Sequence, residues 1–284
     1  LSKLFASLIE EVLMGSIAKI ALTALCLSLS SQLSPLPVLA AQSPAFKANV
    51  EGVALMKKEK IQEALAKFNE AIKENPNYAR AYANRAGVRM TERNYKEALA
   101  DCDKAVSLNP KLDVAYVNRA WAQLHLNQFA KALADCDEAL KLSPKSAIAL
   151  VNRSHALNKL GRSKEALEDC NKALAEDPNM SLAYVNRAHA YIALREFEKA
   201  VADCDKAIAM EPKMARAYAN RGHAYVHLDK LDNAMADITE SLKLDPKLGS
   251  GYFNRAELYR KMAREDNEKA AKLGYFRPPE PAAN

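Results

Sequence analysis

The apolar positions of this chain fall on one long period. Ala64, Ala98, Ala132, Ala166, Ala200 and Ala234 stand 34 residues apart, and Ala71, Ala105, Ala139, Ala173 and Ala207 keep the same step. Prolines punctuate the same register at Pro76, Pro110, Pro144, Pro178, Pro212 and Pro246. Between them runs a polar triplet, Asn-Arg-small: Asn84-Arg85-Ala86, Asn118-Arg119-Ala120, Asn152-Arg153-Ser154, Asn186-Arg187-Ala188, Asn220-Arg221-Gly222 and Asn254-Arg255-Ala256. A fixed repeat of this length predicts a solenoid of identical helical units, not a globule closed around one active site. Only 8 of the 284 residues are glycine, and the abundance of alanine suits close-packed helices.

These motifs resemble the tetratricopeptide repeat, a 34-residue helix–turn–helix unit with an aromatic at position 4, small residues at 8, 20 and 27, and proline at 32. The second unit reads Tyr82, Ala86, Ala98, Cys102, Ala105, Pro110. Units begin near 45, 79, 113, 147, 181 and 215, with a shortened seventh near 249. The resemblance spans roughly 80% of the chain. It implies an all-α, right-handed superhelical solenoid over residues 42–276 with a C-terminal capping helix. It also implies binding of protein partners, and rarely catalysis; this chain is expected not to be an enzyme.

Composition agrees with a soluble helical array: 49% of residues are hydrophobic, 27% charged, and the net charge is +6. The charges interleave, as in Lys96-Glu97 and Asp103-Lys104, so they read as a solvated face. No basic stripe or aromatic–basic platform points to nucleic acid. No nucleophile–base pair, phosphate loop or complete metal motif points to an enzyme, and no cofactor is expected.

Residues 1–41 differ from the rest. An uncharged apolar run over 20–34 follows Lys19 and ends in Pro35, Pro37 and Val38-Leu39-Ala40-Ala41, the pattern of a secretory signal peptide. The expected location is therefore periplasmic or secreted, with no membrane contact after cleavage. An uncleaved membrane anchor is the alternative. Met14 makes a better start than Leu1, so residues 1–13 read as a mis-called extension. At the other end, Pro278, Pro279 and Pro281 predict a disordered tail over 277–284.

Three sets of recurring polar residues carry the remaining expectations. Cys102, Cys136, Cys170 and Cys204 all occupy position 24, one repeat apart on stacked helices. Helix axes pack at about 8–10 Å, too far for a disulfide, which needs Cα atoms closer than about 7 Å; they read as buried, inert packing thiols. Arginine at position 7 and aspartate at position 23 predict five intra-repeat ion pairs: Arg85–Asp101, Arg119–Asp135, Arg153–Asp169, Arg187–Asp203 and Arg221–Asp237.

The third set concerns the concave groove. The resemblance implies that the first helix of each unit lines it through positions 2, 5, 6, 9, 12 and 13. Position 6 is asparagine in Asn84, Asn118, Asn152, Asn186, Asn220 and Asn254. A carboxamide donates and accepts, so this ladder is a candidate for holding an extended peptide by its backbone. It is similar to the asparagine ladder of the O-linked N-acetylglucosamine transferase superhelix. Apolar wall residues include Val117, Val151 and Val185, and Trp121, the only tryptophan, falls at position 9. These suit a partner with apolar anchors.

All five histidines fall on groove positions: His155, His189 and His223 at 9, His125 and His227 at 13. His223 and His227 have a chelating i, i+4 spacing, but no carboxylate or thiol obviously completes a set with them. The carboxylate clamp by which chaperone adaptors of this family hold acidic C-termini is missing: Asn49, Val53, Val114 and Asn118 stand where most of its residues should be. The expected function is a scaffold binding an extended or helical partner segment in the groove. A self-assembling accessory subunit is one alternative, and a metal- or pH-responsive adaptor using the groove histidines is another.

Overall fold

The computed structural model describes residues 43–275. The signal-peptide and tail readings lie outside these residues. Among the described residues there are thirteen α-helices. They are α1 Pro44–Lys57, α2 Ile61–Glu74, α3 Ala79–Thr91, α4 Tyr95–Leu108, α5 Asp113–His125, α6 Phe129–Leu142 and α7 Ala147–Lys159. Then follow α8 Ser163–Glu176, α9 Ser181–Ala193, α10 Phe197–Met210, α11 Ala215–His227, α12 Leu231–Leu244 and α13 Gly249–Lys272. None is long and apolar enough to cross a membrane. The chain divides into two compact units, one up to Ala190 and one from Tyr191.

Within the units the helices pack in sequential pairs, and second helices also pack on the first helix of the next repeat, as in α2 with α3, α4 with α5, α6 with α7, α10 with α11 and α12 with α13. First helices additionally touch one another, as in α3 with α5, α5 with α7, and α11 with α13. The alanines at positions 20 and 27 are fully buried, so the register holds small residues there, with Ser241 replacing alanine once.

Two turns recur. After each first helix, the residue at position 15 takes a left-handed conformation: Glu59, Arg93, Asn127, Gly161, Arg195 and Asp229, with φ between 57° and 76°. A reverse bond closes each turn, for example from Asn94 N–H to the Arg89 carbonyl at 2.9 Å and from Lys230 N–H to Tyr225 at 3.0 Å. This is the Schellman closure, usually built on glycine; only one of these six residues is glycine. Between repeats, the residue before proline is extended, as a following proline demands, at φ −141° for Asn75 and −144° for Asn109. The side chains of Asn75, Asn109, Asp177 and Asp245 accept from the backbone two residues on.

The seventh repeat departs from the others. Helix α13 continues for 24 residues without a second turn and is followed past its cap by Gly274, φ +82°. Its outward side carries Tyr252, Phe253 and Tyr259, 46%, 62% and 52% exposed. The expected C-terminal capping helix therefore exposes aromatic rings beside its charges.

Candidate functional site

The polar residues at the helix faces are ordered by two ladders. In the first, four position-7 arginines each form a two-bond fork to the aspartate at position 23 of the same repeat. Arg119 Nε donates to Asp135 Oδ2 at 2.8 Å and Nη2 to Oδ1 at 2.6 Å. Arg85–Asp101, Arg153–Asp169 and Arg221–Asp237 repeat this geometry. Arg187 and Asp203, the fifth expected pair, belong to different units.

The third arm of each fork reaches a residue that sequence reading left in solvent. Nη1 of Arg119, Arg153 and Arg221 donates to Asp103, Asp137 and Asp205 of the preceding repeat, at 3.0, 2.8 and 2.5 Å. Arg85 and Arg187 reach Asn69 and Asn171 in the same way. The triplets Asp101-Cys102-Asp103 and Asp135-Cys136-Asp137 are thereby explained. Residues i and i+2 of a helix face apart, so one carboxylate closes its own repeat and the other clasps the next. The bond to Asp135 raises the pKa of Arg119 against the opposing effect of burial. Tyrosines at position 4 lie under the guanidinium groups, with Tyr116 5.4 Å from Arg119, adding cation–π attraction.

Cys102, Cys136, Cys170 and Cys204 are buried and form no disulfide. Burial pushes the thiols of Cys102, Cys136 and Cys204 well above their usual pKa, so they stay protonated and unreactive.

The asparagines form the second ladder. Nδ2 of Asn118, Asn152, Asn186 and Asn254 donates to the position-5 carbonyl of the preceding repeat, from Ala83, Val117, Val151 and Ala219, at 2.8–3.4 Å. Asn84 donates to the Asn49 side chain at 2.8 Å. These five are only 1–3% exposed, while Asn220 is half-buried. Five donors thus serve to staple repeats together and are not free for a peptide.

Val117, Val151 and Val185 are also inside, at 6%, 1% and 1% exposure. Val117 packs with Ile148 and Ala149 of the next repeat. As surface contacts these valines are corrected: all three are buried, and over Val117 lies the next first helix. Among the candidate residues, His155 and His223 are half-buried and His189 is exposed.

Trp121 is 5% exposed and meets His125 edge-on at 4.8 Å between centroids; His125 stacks on Tyr95 at 4.3 Å. The indole N–H has no hydrogen-bond partner. Neither do four other buried side-chain atoms: Asn152 Oδ1, Asn158 Oδ1, Gln123 Oε1 and Gln128 Oε1. All five fall in repeats three and four. A buried polar atom without a partner costs about 1–3 kcal/mol, so their concentration here is the least ordinary feature of the first unit.

In the second unit, His223 and His227 turn their Nε2 atoms toward each other at 3.2 Å. Glu257 faces both, 3.5 Å from His223 and 3.4 Å from His227. Burial lowers the pKa of His223, with Glu257 opposing the shift. Sequence reading missed this carboxylate because the seventh repeat is degenerate. The register could have found it: Glu257 stands one period after His223, at the same position 9.

Models of the tetratricopeptide repeat match residues 49–113, 117–181, 181–214 and 215–248. The chain belongs to the tetratricopeptide repeat family. No curated protein sequence matches it. Among solved structures it is similar to the Cut9–Hcn1 hetero-tetramer of the APC/C, with TM-score 0.67 and 16% identity over 86% of this chain and 45% of that one. It spans less than half of that relative. It is also similar to PilF of Pseudomonas aeruginosa, with TM-score 0.61 and 18% identity over 77% of this chain and 99% of that one. PilW, a type IV pilus biogenesis factor, matches with TM-score 0.61 and 19% identity over 74% and 97%. At these identities the likeness is one of fold. Repeat arrays of this family serve as protein-interaction scaffolds, and that coarse function is supported here.

Proposed function

We propose that the chain is a non-catalytic scaffold whose first-helix face, in repeats three and four, holds a segment of a partner protein. The observation that carries this is the group of unpartnered buried atoms around Trp121 and Asn152. An indole N–H and a carboxamide oxygen offer one donor and one acceptor, which suit a peptide backbone; both side chains are buried, so the segment reaches them as the first helices of repeats three and four part to admit it. His155, half-buried at position 9 of the next repeat, supplies a polar edge. The uncharged run over residues 20–34 supports export as the setting, as a reading of sequence alone.

The test uses Trp121 as its own probe, since the chain has 1 tryptophan. Peptides selected on the full chain from a random display library should shift its emission on binding. Trp121→Phe keeps most of the ring and removes the N–H, so the fold should hold while affinity falls about tenfold, the value of one good hydrogen bond. Selected peptides that leave the emission unmoved and bind Trp121→Phe equally would sink the reading.

The exposed aromatics of α13 favour a second reading, self-association through the last helix. Light scattering decides it: mass should rise with concentration in the parent and not in Phe253→Asp.

A further inference from the structure

We propose that His223, His227 and Glu257 bind one divalent transition-metal ion of the zinc class. The site stands apart from the peptide-binding reading above and does not depend on it. Two imidazole nitrogens and a carboxylate are a donor set that borderline metals favour over magnesium or calcium.

The spacing fits as well as the chemistry. Bonds of about 2.05 Å at tetrahedral angles place neighbouring donor atoms about 3.3 Å apart. The two Nε2 atoms are 3.2 Å apart. The carboxylate straddles them, Oε2 facing His223 at 3.5 Å and Oε1 facing His227 at 3.4 Å. One ligand atom from each residue lies within 4.8 Å of the others.

The surroundings hold this arrangement in place. His223 and His227 sit one turn apart on α11, and Glu257 comes from α13, which packs directly on it. The Phe197 ring stacks on His227, 4.5 Å between centroids and 10° from parallel, fixing the imidazole plane. Lys261, one turn beyond Glu257, is committed elsewhere: its Nζ pairs with Asp229 and donates to the Val226 carbonyl. That leaves the Glu257 carboxylate facing the histidines. The three side chains are 24%, 32% and 30% exposed, so a fourth position opens to solvent. Water or a donor from a bound molecule would fill it, as in metal sites with three protein ligands.

The experiment titrates Co²⁺, then competing Zn²⁺, into tag-free full-length protein and reads the visible absorption of cobalt. The expected result is one equivalent bound with tetrahedral cobalt bands and no thiolate charge-transfer band. Glu257→Gln should weaken binding about tenfold or more, since even an outer-shell ligand partner is worth 10–100-fold. His227→Asn should abolish it, and His155→Asn should leave it unchanged. No uptake by the parent, a thiolate band, or parent-like binding by Glu257→Gln would each overturn the proposal. If His227→Asn fails to fold, Glu257→Gln decides alone.

Discussion

Replacing Gly222 with alanine tests how closely the two helices of a repeat are fitted. A Cβ at Gly222 would sit 2.8 Å from Ile238 Cγ1 and 3.3 Å from the Ile238 backbone nitrogen. Position 8 thus meets position 24, and the two vary together along this one chain. Glycine faces the large residues: Gly52 opposes Phe68, whose ring a Cβ would meet at 2.6 Å, and Gly222 opposes Ile238. Elsewhere Ala86, Ala120, Ser154 and Ala188 accompany Cys102, Cys136, Cys170 and Cys204. Overpacking costs about 1–3 kcal/mol, while alanine gains about 1 kcal/mol over glycine inside a helix. Gly222→Ala should therefore destabilise by a net ~1 kcal/mol. Ile238→Cys alone removes buried volume and should cost about 1–2 kcal/mol. The double variant rebuilds the Ala–Cys pairing of the middle repeats. It should be more stable than the sum of the two changes predicts by at least ~1 kcal/mol. Urea unfolding followed by far-UV circular dichroism measures all four proteins. Additivity within about 0.5 kcal/mol would refute the size-matching argument.

Two further outcomes follow from the ladders and the turns. Arg119→Ala strands Asp135, 8% exposed at its side chain, and should cost about 2–4 kcal/mol in the same unfolding assay; Asp103→Asn, at an exposed position, should cost less than about 1 kcal/mol. Arg93→Gly relieves a left-handed residue and should raise stability by a few tenths to about 1 kcal/mol, whereas Gly161→Ala should lower it by about 1 kcal/mol, both read as shifts in thermal midpoint.

The 34-residue period made the helix pairs, the buried alanines and the intra-repeat ion pairs legible, because each depends on residues that recur at fixed spacing. The turn at position 15 was not legible. Glu59, Arg93, Asn127, Arg195 and Asp229 share no side-chain chemistry, and the geometry of the turn, not the residue type, fixes their conformation. The asparagine ladder was seen as a pattern and misassigned in part. Its donors bond a carbonyl 35 residues earlier, a distance that reads as adjacent only once the repeats are stacked. The acids at position 25 looked solvated for the same reason: their partner lies in the next repeat. The candidate site shared this limit. Trp121 could be placed at position 9 from the register, but that its N–H lacks a partner is a property of packing.

The arginine clasp has one consequence for how such a chain grows. Its two halves lie in consecutive blocks, the fork early in one and the accepting side chain late in the block before. A gene segment of one block copied in tandem brings both halves with it, so a new junction closes with no new residue required. Asn69 and Asn171 stand where Asp103, Asp137 and Asp205 stand in other blocks, and still accept the bond. A copy that loses the charge keeps the junction, which leaves duplicated blocks free to diverge without coming apart.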